Sequence, residues 1–172
     1  VGNQTIYGED IQTLKTIIDA NRYYSGMGEQ TTDNASYSKY VKDLTQRIPA
    51  GKSLKVVLDS GNGVGGLFSK RLMEAWGHEV LACLYCEPDA NYPNHHPNPQ
   101  DAANMKDLGE KVVELGADVG IAFDGDADRM GAVNEQGQMI AADRLLAILA
   151  KDMLARHPKA AVVADVLTSQ VL

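Results

Sequence analysis

Apolar residues in this chain fall alternately into short continuous runs and helically spaced stripes, the pattern of an α/β fold. Leu54–Asp59, Glu79–Tyr85 and Asp118–Phe123 are apolar runs bounded by turn residues, as buried strands are. Leu67–Trp76, ended by Gly77, and 101–115, with Met105, Leu108, Val112 and Leu115 inward, supply the helices between them. The first two strands and the helix joining them make a βαβ unit. Upstream, Glu9–Ala20 sets Ile11, Leu14, Ile17 and Ile18 at helical spacing behind two acids in its first turn. The polar, aperiodic stretch 21–36 reads as a connector, with a domain boundary near residue 35. Ser36 is expected to cap a helix bearing Tyr37, Tyr40, Val41, Leu44 and Ile48, which ends at Pro49-Ala50-Gly51. Downstream, Met130–Asn134 and Gln138–Ala141 flank Glu135-Gln136-Gly137, a hairpin signal. Asp143 is expected to cap a helix through Ala155, and Ala160–Val166 to form a further strand, as if a second α/β domain began after residue 138. The expectation is an α/β fold with a mixed, mostly parallel sheet and helices on both faces.

Composition narrows the function. At 172 residues and 44% hydrophobic, the chain can bury one core with attachments. Its 23 acids against 16 Lys and Arg give a net charge of −7, with no basic cluster, which argues against a nucleic-acid surface. No apolar run approaches the roughly 20 residues that cross a bilayer, and no basic-then-apolar leader opens the chain, so a cytoplasmic protein is expected. Cys83 and Cys86 form a C-x-x-C motif within and just after a strand rather than at a helix start, which favours packing cysteines over a redox or zinc pair. Val1 and Leu172 read as the ends of a fragment.

Chemistry concentrates in Asp124-Gly125-Asp126-Ala127-Asp128-Arg129. Three carboxylates at alternate positions repel one another unless a cation holds them, and alternate residues of an extended segment project to one side. All-oxygen ligands favour a hard cation, Mg²⁺ or Ca²⁺, ahead of zinc. A solvated acidic turn is the bland reading. A Ca²⁺ loop of EF-hand type matches Asp124, Asp126, Asp128 and Glu135 in spacing, but needs glycine where Arg129 stands and helices where strands are expected. Arg129 beside the acids suggests an anionic substrate whose charge it shares.

Two other stretches carry weaker signals. Gly61-Asn62-Gly63-Val64-Gly65-Gly66 satisfies G-x-G-x-x-G between a strand and a helix, with Glu87 after the next strand, so an NAD-binding oxidoreductase domain is a serious alternative. Asp59 and Ser60 put a charge near where a pyrophosphate would lie, and a tight strand-to-helix turn explains the glycines as well. In the stiff loop Glu87–Gln100, His95 and His96 are expected to hydrogen-bond the loop or shape a cleft rather than to catalyse.

Taken in order, Val57-Leu58-Asp59-Ser60-Gly61-Asn62-Gly63, Glu87-Pro88-Asp89, Tyr92-Pro93-Asn94-His95-His96-Pro97-Asn98-Pro99 and Gly120–Arg129 resemble the α-D-phosphohexomutases. Within them the likeness is greatest to the bacterial phosphomannomutase/phosphoglucomutase branch, and it runs from about Gly8 to the end. The resemblance implies four domains around a cleft, with 1–35 the tail of the first and a linker, 36–138 the metal-binding second, and 139–172 the start of the third. It further implies Mg²⁺ on Asp124, Asp126 and Asp128, completed by a phosphoserine from the first domain, and Arg129 against the transferred phosphate. The reaction so implied interconverts hexose 1-phosphate and hexose 6-phosphate of mannose or glucose through a bisphosphate, by a monomer without a redox cofactor. A fragment lacking the phosphoserine is expected to be inactive. One departure stands out: relatives carry lysine two residues after an aspartate in the strand opening the third domain, whereas this chain has Leu167.

Overall fold

The structure is a computed structural model that describes Asn3, 5–166 and 168–170. The chain divides into two compact units, Val1–Ser36 and Tyr37–Leu172. The first unit contains α1 (Glu9–Asp19), an amphipathic helix with no buried residue.

The second unit opens with α2, which begins at the boundary itself (Ser36–Arg47). Ser36 donates to the Asp33 carbonyl at 3.3 Å rather than capping with its oxygen; the Asp33 carboxylate instead accepts the Ala35 amide at 2.7 Å. The apolar face of α2 is only half-buried. Tyr37 lies under the Arg71 guanidinium at 4.4 Å, and Tyr40 meets Phe68 edge-on at 6.4 Å.

The sheet follows, built from β1 (Lys55–Asp59), β2 (Glu79–Leu84), β3 (Val119–Phe123), β4 (Met130–Val133) and β5 (Met139–Ile140) in the order β2-β1-β3-β4-β5. β1 pairs parallel with β2 and β3, and β4 runs antiparallel to both β3 and β5. Four of the five strands therefore share one direction, in the mixed, mostly parallel sheet that the apolar runs predicted. Val56, Val57, Leu58 and Asp59 are buried in succession, so both faces of β1 are covered. β1 leads to β2 and β2 leads back past β1 to β3, so the right-handed rule for parallel crossovers assigns α3 (Ser69–Ala75) and α4 (Lys106–Leu115) to opposite faces. On the α4 face, Met105, Leu108 and Val112 pack against Val57, Ala122 and Val133. Each of these helices is preceded by a tighter 3₁₀ turn: Val64–Leu67 falls in the glycine-rich stretch just ahead of the helix expected from Leu67, and Ala102–Met105 replaces the first turn of the helix expected over 101–115. Past the hairpin, α5 (Ala142–Arg156) starts one residue before Asp143, whose carboxylate accepts the adjacent Arg144 amide at 2.8 Å instead of capping the helix.

Two further expectations are overturned. Cys83 and Cys86 are joined by a disulfide, with Cα atoms 5.9 Å apart, rather than packing as free thiols. Tyr85 between them adopts left-handed backbone (φ 52°), which turns the chain sharply enough to bring the two sulfurs together. Ala160–Val166 forms no strand among the described residues; Val163 and Val166 are exposed. A strand exists by hydrogen bonds to a partner, and apolar composition alone does not supply one. No helix is long and apolar enough to cross a membrane among the described residues.

Candidate functional site

β1, β2 and β3 end at one edge of the sheet, and the loops that follow them meet there: 60–63, 85–100 and 124–129. β1 leads out to β2 while β3 lies on its other side, so the gap between β1 and β3 is the topological switch point, where open α/β sheets bind ligands.

The loop after β3 is folded on itself by hydrogen bonds. The Ala127 amide donates to the Asp124 carbonyl at 3.1 Å, and the Asp124 amide to the Arg129 carbonyl at 3.2 Å, with Ala127 in left-handed conformation (φ 61°). One oxygen from each of Asp124, Asp126 and Asp128 comes within 4.8 Å of the other two. Asp124 is buried at 2% exposure, whereas Asp126, Asp128 and Arg129 face solvent. Arg129 is tied to the first of these acids: its amide donates to Asp124 Oδ1 at 3.0 Å and its Nε to Asp124 Oδ2 at 2.7 Å. The structure thus brings together all four residues that the sequence singled out.

Electrostatics shows what the cluster lacks. Burial opposes the charge on Asp124, but the Arg129 amide and guanidinium outweigh it and hold this carboxyl below the usual carboxylate range. The exposed Asp128 is raised instead, by a hydrogen bond shared with Asp124 and by repulsion from Asp126 and Asp124. Carboxylates that repel one another at this spacing are a donor set that a dication would satisfy, and the oxygens of Asp124 keep acceptor capacity beyond the Arg129 bonds. The residues fit a hard divalent ion held by Asp124, Asp126 and Asp128.

Around this loop the glycine loop is already filled by protein. A Cβ on Gly63 would lie 2.7 Å from the Gly125 carbonyl oxygen, and one on Gly66 would lie 1.8 Å from that of Cys86. These glycines serve close packing of backbone on backbone, the tight-turn reading. The flanks of the acidic loop are β3 and β4, not the helices of an EF-hand.

One pair went unread in the sequence. Asp59, fully buried, lies 3.0 Å from His95 Nε2 and accepts the Gly61 amide at 2.8 Å. The signal was a carboxylate ending an apolar strand, since a buried charge requires a partner. His95 Nδ1 lies 3.0 Å from the His96 carbonyl, and the His96 ring meets Tyr92 edge-on, so both histidines are engaged within the loop. Leu167, where relatives were expected to carry lysine, lies outside the described residues.

The family model for phosphoglucomutase/phosphomannomutase, alpha/beta/alpha domain II, matches residues 36–137. A phosphomannomutase/phosphoglucomutase of Pseudomonas aeruginosa is 45% identical over 168 residues, covering 96% of this chain and 35% of that protein. A phosphoglucomutase of Neisseria meningitidis serogroup B is 38% identical over 173 residues, covering 100% of this chain and 37% of that protein. The crystal structure of a phosphoglucomutase/phosphomannomutase family protein from Burkholderia thailandensis superposes with a TM-score of 0.77 at 39% identity, over 88% of this chain and 33% of that one. The chain spans about a third of the length of the curated relatives it matches. With the second-domain model matched across more than half of its residues, the chain belongs to the phosphoglucomutase/phosphomannomutase family.

Proposed function

We propose that this chain is the metal-binding central part of a phosphohexomutase, and that Asp124, Asp126 and Asp128 hold Mg²⁺ while Arg129 contacts the phosphate being transferred. The observation that carries this reading is the convergence of three aspartate oxygens within 4.8 Å, beside a guanidinium, at the switch point of the sheet. A bound Mg²⁺ would supply Lewis-acid withdrawal of charge from a phosphoryl group. The chain's own residues prepare the place for it. Asp124 fixes Arg129 through its Nε, which leaves the terminal guanidinium nitrogens free of that bond to meet a phosphate oxygen. Asp126 and Asp128, exposed on the outer side of the loop, are within reach of a ligand arriving from solvent.

The whole protein, on this reading, interconverts the 1- and 6-phosphates of mannose or glucose through a phosphoserine and a bisphosphate, with 1–35 the end of one domain, 36–138 the second and 139–172 the start of the third. The names carried by the relatives support that substrate class. Calorimetric titration of the chain tests the core of it. Weak Mg²⁺ binding is expected, with Asp126→Asn lowering affinity by about tenfold or more, or roughly 1.4 kcal/mol, and with no uptake of NADH. Unchanged Mg²⁺ affinity in the variant, or micromolar NADH binding, would overturn it. A marked preference for Ca²⁺ over Mg²⁺ would favour a noncatalytic calcium module.

A further inference from the structure

Asp59 ends β1 in a fully buried position, where a carboxylate is costly unless every lone pair is used. Its Oδ1 takes the Gly61 amide at 2.8 Å and its Oδ2 faces His95 Nε2 at 3.0 Å, while the other ring nitrogen of His95 faces the His96 carbonyl at 3.0 Å. Both ring nitrogens thus meet oxygens, so the pair holds one proton between Nε2 and Oδ2 and another on Nδ1. Burial raises Asp59, and His95 is raised as well, against its own burial, by the His96 carbonyl and the Asp59 charge.

What the pair joins is more telling than its charge. Asp59 belongs to the turn that becomes the glycine loop, and His95 to the proline-rich loop 36 residues away. Those two loops grip the acidic loop between them. On one side the Val64 amide donates to the Gly125 carbonyl at 3.0 Å, and Gly63 lies so close that a Cβ would come within 2.7 Å of that same oxygen. On the other, the Tyr92 hydroxyl is 3.0 Å and Pro97 Cγ 3.6 Å from where a Cβ of Gly125 would stand.

We propose that Asp59 and His95 are a positioning pair that seats the acidic loop, acting through the two loops they clamp and touching neither ion nor phosphate. This rests on the metal reading of that loop only for its consequence; the clamp itself is a property of the protein alone.

Amide hydrogen exchange on the 172-residue chain without added metal tests it. In His95→Ala, the Val64 and Ala127 amides should exchange at least about tenfold faster, while the Ala117 amide, bonded to Val112 at the end of α4, stays within about twofold. His95→Gln, which can still donate to Asp59, should restore Val64 and Ala127 to within about threefold of the parent. Equal acceleration at all three amides would mean general loosening of the fold and would overturn the proposal, as would no change. Should His95→Ala fail to fold, His95→Phe keeps a ring in that space and removes both nitrogens; it should speed Val64 and Ala127 by about threefold or more, and a parental rate there overturns the clamp. A parent chain that takes up no Mg²⁺ would sink the metal reading and leave this exchange result standing.

Discussion

Asp59 and Asp124 both terminate parallel strands as buried carboxylates, yet their environments push them in opposite directions. Asp124 has a permanent cation in Arg129 and is held low; Asp59 has only a titratable partner and is raised. The difference puts the pH dependence of stability on opposite sides: what Asp124 contributes is lost as pH falls through its lowered pKa, whereas the Asp59–His95 pair acts as pH rises. Folded His95 titrates above its ordinary value of 6.5, so the stability its charged form contributes is complete below that value and is lost as pH climbs through the raised one. The raised Asp59 works in the same sense, because its protonated form is the one burial favours, and the two groups titrate as a pair. Asp107 also faces them. Tyr85, stacked edge-on against His95, does not ionise in this range, because its hydrogen bond to Asp107 and its burial push the phenol up to about 12. As pH rises above 6.5, the melting temperature of the parent should fall more steeply than that of His95→Gln, which cannot take up the charge. Parallel curves would show that the pair contributes nothing to folding in that window.

Elements were legible where one residue type dictates one local outcome. The apolar runs gave β1, β2 and β3 because strands buried on both faces have no polar alternation to maintain, and Leu108 and Val112 gave α4 its core face. Alternate aspartates gave the acidic loop, since charge repulsion is local and readable. What remained hidden depends on residues far apart or on backbone state. The disulfide follows from a left-handed Tyr85 that no residue type announces; the partner of Asp59 lies 36 positions on; and Ala160–Val166 has the composition of a strand without a strand to pair with among the described residues. The glycine loop was ambiguous for the same reason, because packing against Cys86 and binding a pyrophosphate demand the same small residues. The packing account makes a sharp prediction. Gly66→Ala should destabilise by about 2 kcal/mol or more, since the new methyl meets the Cys86 backbone rather than a flexible side chain. Gly51→Ala, with open space around it, should stay within about 0.5 kcal/mol. Denaturant midpoints at unchanged slope would measure both, and an inert Gly66→Ala would overturn the packing account of the loop.

At the scale of the whole molecule, stability is unevenly shared. All the buried hydrophobic residues among those described lie between Val56 and Ala150, within the second unit, whereas the first unit buries none. With apolar burial the dominant favourable term in folding, the sheet and its helices should melt as they do now whether or not the first unit is attached. The stretch between α1 and α2 is the natural place to separate them: 22–33 is exposed and without regular structure, and Arg22 is the sole Lys or Arg from residue 21 to 35. Brief trypsin treatment of the native chain should therefore cut after Arg22 ahead of the many basic residues inside helices and strands, where cleavage needs local unfolding. The product beginning at Tyr23 should melt within about 3 °C of the parent and bind Mg²⁺ with the same affinity, because the acidic loop, its glycine-loop seat and the Asp59–His95 clamp all lie beyond the cut. A product that unfolds on cleavage, or that loses Mg²⁺ uptake while remaining folded, would show that residues before Tyr23 carry part of the site's stability.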